Sequence, residues 1–385
     1  MKNVKLFFIL VTILYSTGCS KKEQPHNKTI DDNIIINIDN ATTLNPKENF
    51  YEVCCIPLQT SQNSLIGEIS KLYITNEYII VVDQKYNNLL QFNKNGQFIR
   101  KIGAKGQGPN EYIMFNDVVF DYDTQKIYAY ERYSKTMHVY NLNGELVETI
   151  NSKFNFNSFI KCDNGFWIYS CFKDYNPDNN ILMLVDNNLS TVLKKYFPQE
   201  EINVVQFTPR FTINPTDNEK YFYYDGSNII WRLKDEADEA FNVDFGELVL
   251  PYSNIQKAQS IEEYNNIIYG NKYLGFINNL FISDSSLYFT CTKSELNKST
   301  TLFNVEYDRN NRTTHIYKSI LNIKDFIPAN YSNLLLITPE NELVYAIEPH
   351  NLYSDKFERL KERFKDISED NNPILLFVKK QNNKL

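Results

Sequence analysis

Tyr78-Ile79-Ile80-Val81-Val82-Asp83, Asn88-Leu89-Leu90-Gln91-Phe92, Lys94-Asn95-Gly96 and Phe98-Ile99-Arg100-Lys101-Ile102 form a series that returns one period later. The second copy reads Lys126-Ile127-Tyr128-Ala129-Tyr130, Met137-His138-Val139-Tyr140, Leu142-Asn143-Gly144 and Leu146-Val147-Glu148-Thr149-Ile150. Gly96 and Gly144 are equivalent and stand 48 residues apart. Each copy opens on a short apolar segment, Ile69-Ser70-Lys71-Leu72-Tyr73-Ile74 in the first and Asn116-Asp117-Val118-Val119-Phe120 in the second. Four short alternating runs per unit, separated by Asn/Gly turns, are four antiparallel strands, and a period near 50 residues is that of a propeller blade.

Working outward, degenerate copies keep the rhythm. A third spans Phe159 to Phe197, a fourth Phe207 to Phe245 and a fifth Ile277 to Ser319. A sixth has only three strands, Leu334 to Thr338, Leu343 to Ile347 and Ile374 to Lys379, and Tyr51 to Leu58 is available as the fourth. The expected fold is therefore all-β, a six-bladed β-propeller of four-stranded antiparallel blades. Closure by the N-terminal strand removes the edge that an open array would expose. Two stretches break the pattern. Ser354 can cap a helix with Phe357, Leu360, Phe364 and Ile367 on one stripe, and Ile255 to Tyr269 is helix-compatible up to Gly270, so one or two short helical inserts are expected.

At the N-terminus, two lysines and the apolar run Leu6 to Leu14 precede Ser16-Thr17-Gly18-Cys19. Nine residues are too few for a spanning helix, which needs about 20, so the run reads as a signal h-region. Small residues before a cysteine are what lipoprotein processing needs, and Cys19 is the expected lipidation site, although Ser16 stands where Leu is usual. The other reading is an ordinary secretory signal cut nearby, with Cys19 left as a thiol. The expected organisation is 1–18 signal peptide, 19–49 lipid anchor and polar tether, and 50–385 a single propeller domain. Localisation would be the cell envelope, at the outer membrane, with either face open.

The 385 residues carry a net charge of −7 with mixed signs, which argues against a nucleic-acid partner because that needs a basic face. Tyr and Phe number 27 and 26, spread from Phe50 to Phe377 with no linker, which favours one domain over two. Beside Cys19 there are five cysteines and no CxxC spacing. Cys162 and Cys171 either pair across a hairpin or stay as buried thiols.

The segment Arg100-Lys101-Ile102-Gly103-Ala104-Lys105-Gly106-Gln107-Gly108-Pro109-Asn110-Glu111-Tyr112 resembles the inter-blade joint of the NHL-like six-bladed β-propeller lipoproteins of Bacteroidota. Ile56-Pro57-Leu58 with Ser64-Leu65-Ile66-Gly67, and Asp370-Asn371-Asn372-Pro373-Ile374-Leu375-Leu376, match as well. The resemblance covers about Phe50 to Lys380, is strongest over the first two blades, and implies the propeller and an envelope location.

Constellations that carry chemistry are sparse. Gly103, Gly106 and Gly108 have the wrong order for a phosphate cradle and, with Pro109, read as a structural turn between blades. Glu111 and Tyr112 then lie near the ring mouth as candidate ligand contacts. Asp174, Asn176 and Asp178 have the first spacings of a calcium loop but lack its turn glycine and closing acid. Asp163-Asn164-Gly165-Phe166-Trp167 is read as a tight hairpin turn. His138, His315 and His350 fall in separate blades, and only their convergence at the central channel would make a metal-assisted hydrolase or lyase. No metal or cofactor is expected. The sequence thus points to a membrane-tethered module, more a binder or scaffold than an enzyme, for an envelope protein, peptide or glycan.

Overall fold

A computed structural model describes residues 31–381, apart from 109–110, 171–179, 199–209, 225–226, most of 251–276, 294–299, 321–330 and 354–357. Among the described residues six small sheets form a ring. The first blade holds strands Ile69–Ile74, Tyr78–Asp83, Asn88–Asn93 and Phe98–Lys101. The second holds Asp117–Asp121, Lys126–Glu131, Thr136–Tyr140 and Leu146–Asn151. Ser158–Cys162, Gly165–Tyr169, Asn180–Val185 and Val192–Pro198 make the third. The fourth has Phe211–Ile213, Lys220–Phe222, Ile229–Leu233 and Ala237–Asp244. The fifth has Asn278–Ile282, Ser286–Lys293, Thr301–Asp308 and Thr313–Ile320.

The last blade confirms the closure expected from sequence. Leu334–Ile337, Glu342–Ile347 and Ile374–Lys380 are completed by Phe50–Pro57, which pairs antiparallel from Ile374↔Pro57 to Lys380↔Phe50. Strands from the two ends of the chain thus share one sheet.

Residues 32–49, read from sequence as tether, are part of the ring. Asp32–Ile35 adds a parallel fifth strand outside the fourth blade, and Thr42–Leu44 does the same to the fifth. The physical reason is alternation: Ile34 and Ile36 are buried while Ile35 is exposed, so the segment has a period of two and a face to bury. Each added strand covers an outer edge.

Among the described residues the core is divided. Six apolar clusters each sit between two neighbouring blades. The run Ile79 to Val82 shows why a near-continuous apolar strand is needed. Ile79 and Val81 pack toward the sixth blade, and Ile80 and Val82 toward the second. Around the channel the inner strands are tied by polar contacts. Lys71 Nζ lies 2.5 Å from Asp117 Oδ1, and Asp117 Oδ2 accepts from the Phe159 amide at 3.1 Å, so one carboxylate links three blades. Burial alone would depress the Lys71 ammonium, but Asp117 outweighs it and holds the pKa above its ordinary value.

Two short helices are described, Pro46–Asn49 and Glu358–Arg363. The second lies between strands of the last blade, where the sequence placed it. Leu360 is buried, and Phe364 and Ile367 pack on the same cluster. Ser354, Phe357 and most of 255–269 lie outside the described residues.

Candidate functional site

In blades one and two, the turn between the second and third strands and the connection to the next blade share one face of the ring. The turn between first and second strands lies on the opposite face. These two faces have different chemistry.

On the first face, the connection between blades one and two is locked by its own residues. Ala104–Lys105 pairs parallel with Glu111–Tyr112. The Glu111 carboxylate turns into its loop and accepts from the Gly108 amide at 2.7 Å. A Cβ on Gly106 would stand 1.9 Å from that carboxylate, so the close approach needs glycine there. Gly103 has φ of +70° and faces the Tyr140 hydroxyl, which a side chain would strike. Tyr112 is only 2% exposed, stacks on Phe115 with ring centroids 3.8 Å apart, and donates to the Asn87 carbonyl. Burial pushes its phenol up to about 12. Glu111 and Tyr112 therefore hold the loop, and the side chains that project are their neighbours Ile113 and Met114. Pro109 and Cys19 lie outside the described residues.

Beneath this loop His138 is buried, and neither ring nitrogen has a hydrogen-bond partner among the described residues. Glu131 lies 4.0 Å away, and its carboxylate caps the Ile113 and Met114 amides and accepts from Ser134. Burial lowers the imidazole's pKa, and Glu131 offsets only part of that. The unfolded chain then binds the proton more readily than the folded one. The stability due to neutral His138 is complete above about pH 6.5 and is lost as pH falls below it. The melting temperature is expected to drop as pH falls below about 6.5, and His138→Phe should flatten that slope. An unchanged slope in the variant would show that other groups cause it.

The opposite face carries a cavity of about 510 Å³ between blades three and four, lined by Cys162 to Asn164, Asp217 to Lys220 and Leu233 to Asp235. The Asp163-Asn164 turn is the tight hairpin expected from sequence, with Cys162 paired to Gly165. Its companion, the turn from Asn214 to Glu219, reaches both ways around the ring. Asn218 donates to Asp123 of the second blade at 2.7 Å, and Asn214 donates to Asp284 of the fifth at 2.8 Å. Asn164 donates to Asp235 at 2.6 Å, and Lys234 pairs with Glu219 at 2.7 Å. Burial would raise the Glu219 carboxyl, but bonds from Lys234 and Tyr221 and the charge of Arg232 hold it below the ordinary carboxylate range. Glu219 is thus a charged strut, while Asp163 and Asp217 line the cavity, Asp217 Oδ1 accepting from the Glu219 amide at 2.9 Å. Burial raises the Cys162 thiol, which is free. Cys171, Asp174, Asn176 and Asp178 lie outside the described residues.

Sequence reasoning missed this cavity because it joins turns of two blades. The available signal was that Asp163-Asn164 and Asp217-Asn218 occupy equivalent turns in consecutive units.

The histidines do not converge. His138 is on the third strand of blade two, His315 on the fourth strand of blade five, and His350 follows the second strand of blade six. Among the described residues, no three His, Cys, Asp or Glu side chains are grouped to hold a metal ion.

Comparison with solved structures gives the same ring. A Bacteroides fragilis protein described as a candidate exported protein superposes with a TM-score of 0.71 at 17% identity, covering 91% of this chain and 99% of its own. A member of the DUF4221 family from Bacteroides vulgatus superposes with a TM-score of 0.55 at 14% identity, over 87% and 99% of the two chains. No curated protein matches this sequence. The profile of the domain of unknown function DUF4934 matches residues 32–379, which takes in the two added strands and all six blades, and the chain belongs to that family.

Proposed function

We propose that this chain is a lipid-anchored envelope propeller of NHL-like kinship that binds without catalysis, holding a protein, peptide or glycan on the cavity face. The cavity carries this reading: its acceptors Asp163 and Asp217 stand on turns held by hydrogen bonds from three neighbouring blades. Such preorganised polar groups lower the ordering cost of binding. Carboxylates and carboxamides beside the paired ammoniums of Lys220 and Lys234 suit ligands rich in hydroxyl and amide groups. The signal-like segment ending at Cys19 supports anchoring, and the exported relative in Bacteroides supports an envelope location.

Two measurements test it. Replacing Cys19 with Ala should move the protein from salt-washed membranes to the soluble fraction, and an unmodified Cys19 in the native mature protein would overturn anchoring. Asp163→Ala with Asp217→Ala should reduce capture of a partner from envelope extract by about tenfold or more while melting stays unchanged. A divalent ion tightly bound at the channel and lost with His138, His315 or His350 would instead support a hydrolase or lyase.

A further inference from the structure

The face opposite the cavity presents apolar side chains to solvent on projecting turns. Tyr133 is 79% exposed, Ile113 59%, Tyr86 45% and Met114 39%. They form one patch because the side chains of Asn87 and Glu131 tie the three turns together through the backbone of 113–115. Asn87, next to Tyr86, donates to the Ile113 carbonyl at 3.0 Å and accepts from the Phe115 amide, while Glu131, two residues before Tyr133, caps Ile113 and Met114. Cations stand among them. Lys85 lies over the Tyr86 ring, Arg132 over the Tyr133 ring, Lys105 donates to the Tyr86 carbonyl, and Lys135 is exposed. The carboxylates of the same turns are turned inward: Asp83 and Glu131 are buried and Glu111 caps its own loop, which leaves Glu68 exposed.

From these observations we infer that this patch docks the propeller face-on to an anionic lipid surface. Aliphatic tips insert below the headgroups, tyrosines sit at the interface and lysine and arginine meet the phosphates, which is how interfacial anchors divide the work. Turn tips project, so they suit a soft planar surface better than a peptide that needs a groove. Charge complementarity is local, since a basic patch stands on a chain of net charge −7. The inference deepens the anchored reading and rests on it: an acyl chain supplies attachment, and the patch supplies orientation, leaving the cavity turned away from the membrane.

The test uses the body from Asp31 onward, which contains every described strand and no acyl chain. It should sediment with vesicles of phosphatidylethanolamine and phosphatidylglycerol, weakly with phosphatidylcholine alone, and be released by salt. Ile113→Ser with Tyr133→Ser should weaken sedimentation by about tenfold or more, because burial of both side chains is lost. Val147→Ser with Leu193→Ser, which removes exposed apolar side chains from outer strands, should leave it unchanged. Equal binding by the patch variant, equal binding to both vesicle types, or no binding at all overturns the inference. The lipidated full chain still fractionating with membranes in those cases would leave the anchored reading standing. Loss of membrane association on Cys19→Ala with vesicle binding intact would show the two attachments to be separate.

Discussion

A chain beginning at Ser61 is expected not to fold into a stable ring. It lacks the strand Phe50–Pro57 that completes the last blade, and both added strands. Ile34, Ile36, Leu44, Phe50 and Leu58, all buried, go with them. At about 1.5–3 kcal/mol for each side chain the loss is on the order of 10 kcal/mol. That equals the whole stability of an ordinary domain, about 5–15 kcal/mol. A chain beginning at Asn45 keeps closure and loses only the added strands, so it should melt between the two extremes. Circular dichroism melts of the three chains check this, and a Ser61 chain that melts with the one beginning at Asp31 would refute closure.

The second large effect is expected at Glu306. Its carboxylate is 1% exposed, on the third strand of blade five, and its partners are the Lys380 ammonium and, at 3.5 Å, the Tyr331 hydroxyl. Tyr288, Tyr317 and Tyr345 crowd the same site, and burial with this charge holds their phenols above the ordinary value. Lys380 ends the last strand of the ring, so the pair ties blade six to blade five. Lys380→Met leaves a buried charge without its counterion and, with the lysine itself a third exposed, should cost about 2–3 kcal/mol. Lys380→Met with Glu306→Gln should cost clearly less, because the uncompensated charge is gone. Urea midpoints of the three proteins measure it, and additive losses would show that the pair is not coupled.

The fold was legible where local pattern and global position agree. The Ile79 to Val82 run and the Asn95-Gly96 turn repeat as Ile127 to Tyr130 and Asn143-Gly144, and the incomplete sixth unit called for the strand at Tyr51. What misled was polarity. Asn, Asp and Thr around Ile34, Ile36 and Leu44 look like tether, yet a parallel edge strand needs only alternate residues buried. The site was less legible because a turn's sequence does not say which way its side chains point. Glu111 turns inward onto the Gly108 amide and Ile113 points outward, the reverse of what hydropathy leads one to expect. The cavity depends on the turns of Asp163 and Asp217 lying side by side across a blade boundary, and no local spacing encodes that.

Hydrogen exchange of the full chain in its own membranes, read with and without envelope extract, tests most directly whether this is a binding propeller with two unlike faces. The account predicts that extract slows exchange at the turns 162–164, 217–220 and 233–235. It also predicts that removing the membrane speeds exchange at 85–87, 112–115 and 132–135 and leaves the cavity turns unaffected. Protection by extract at the second group and none at the first would contradict it.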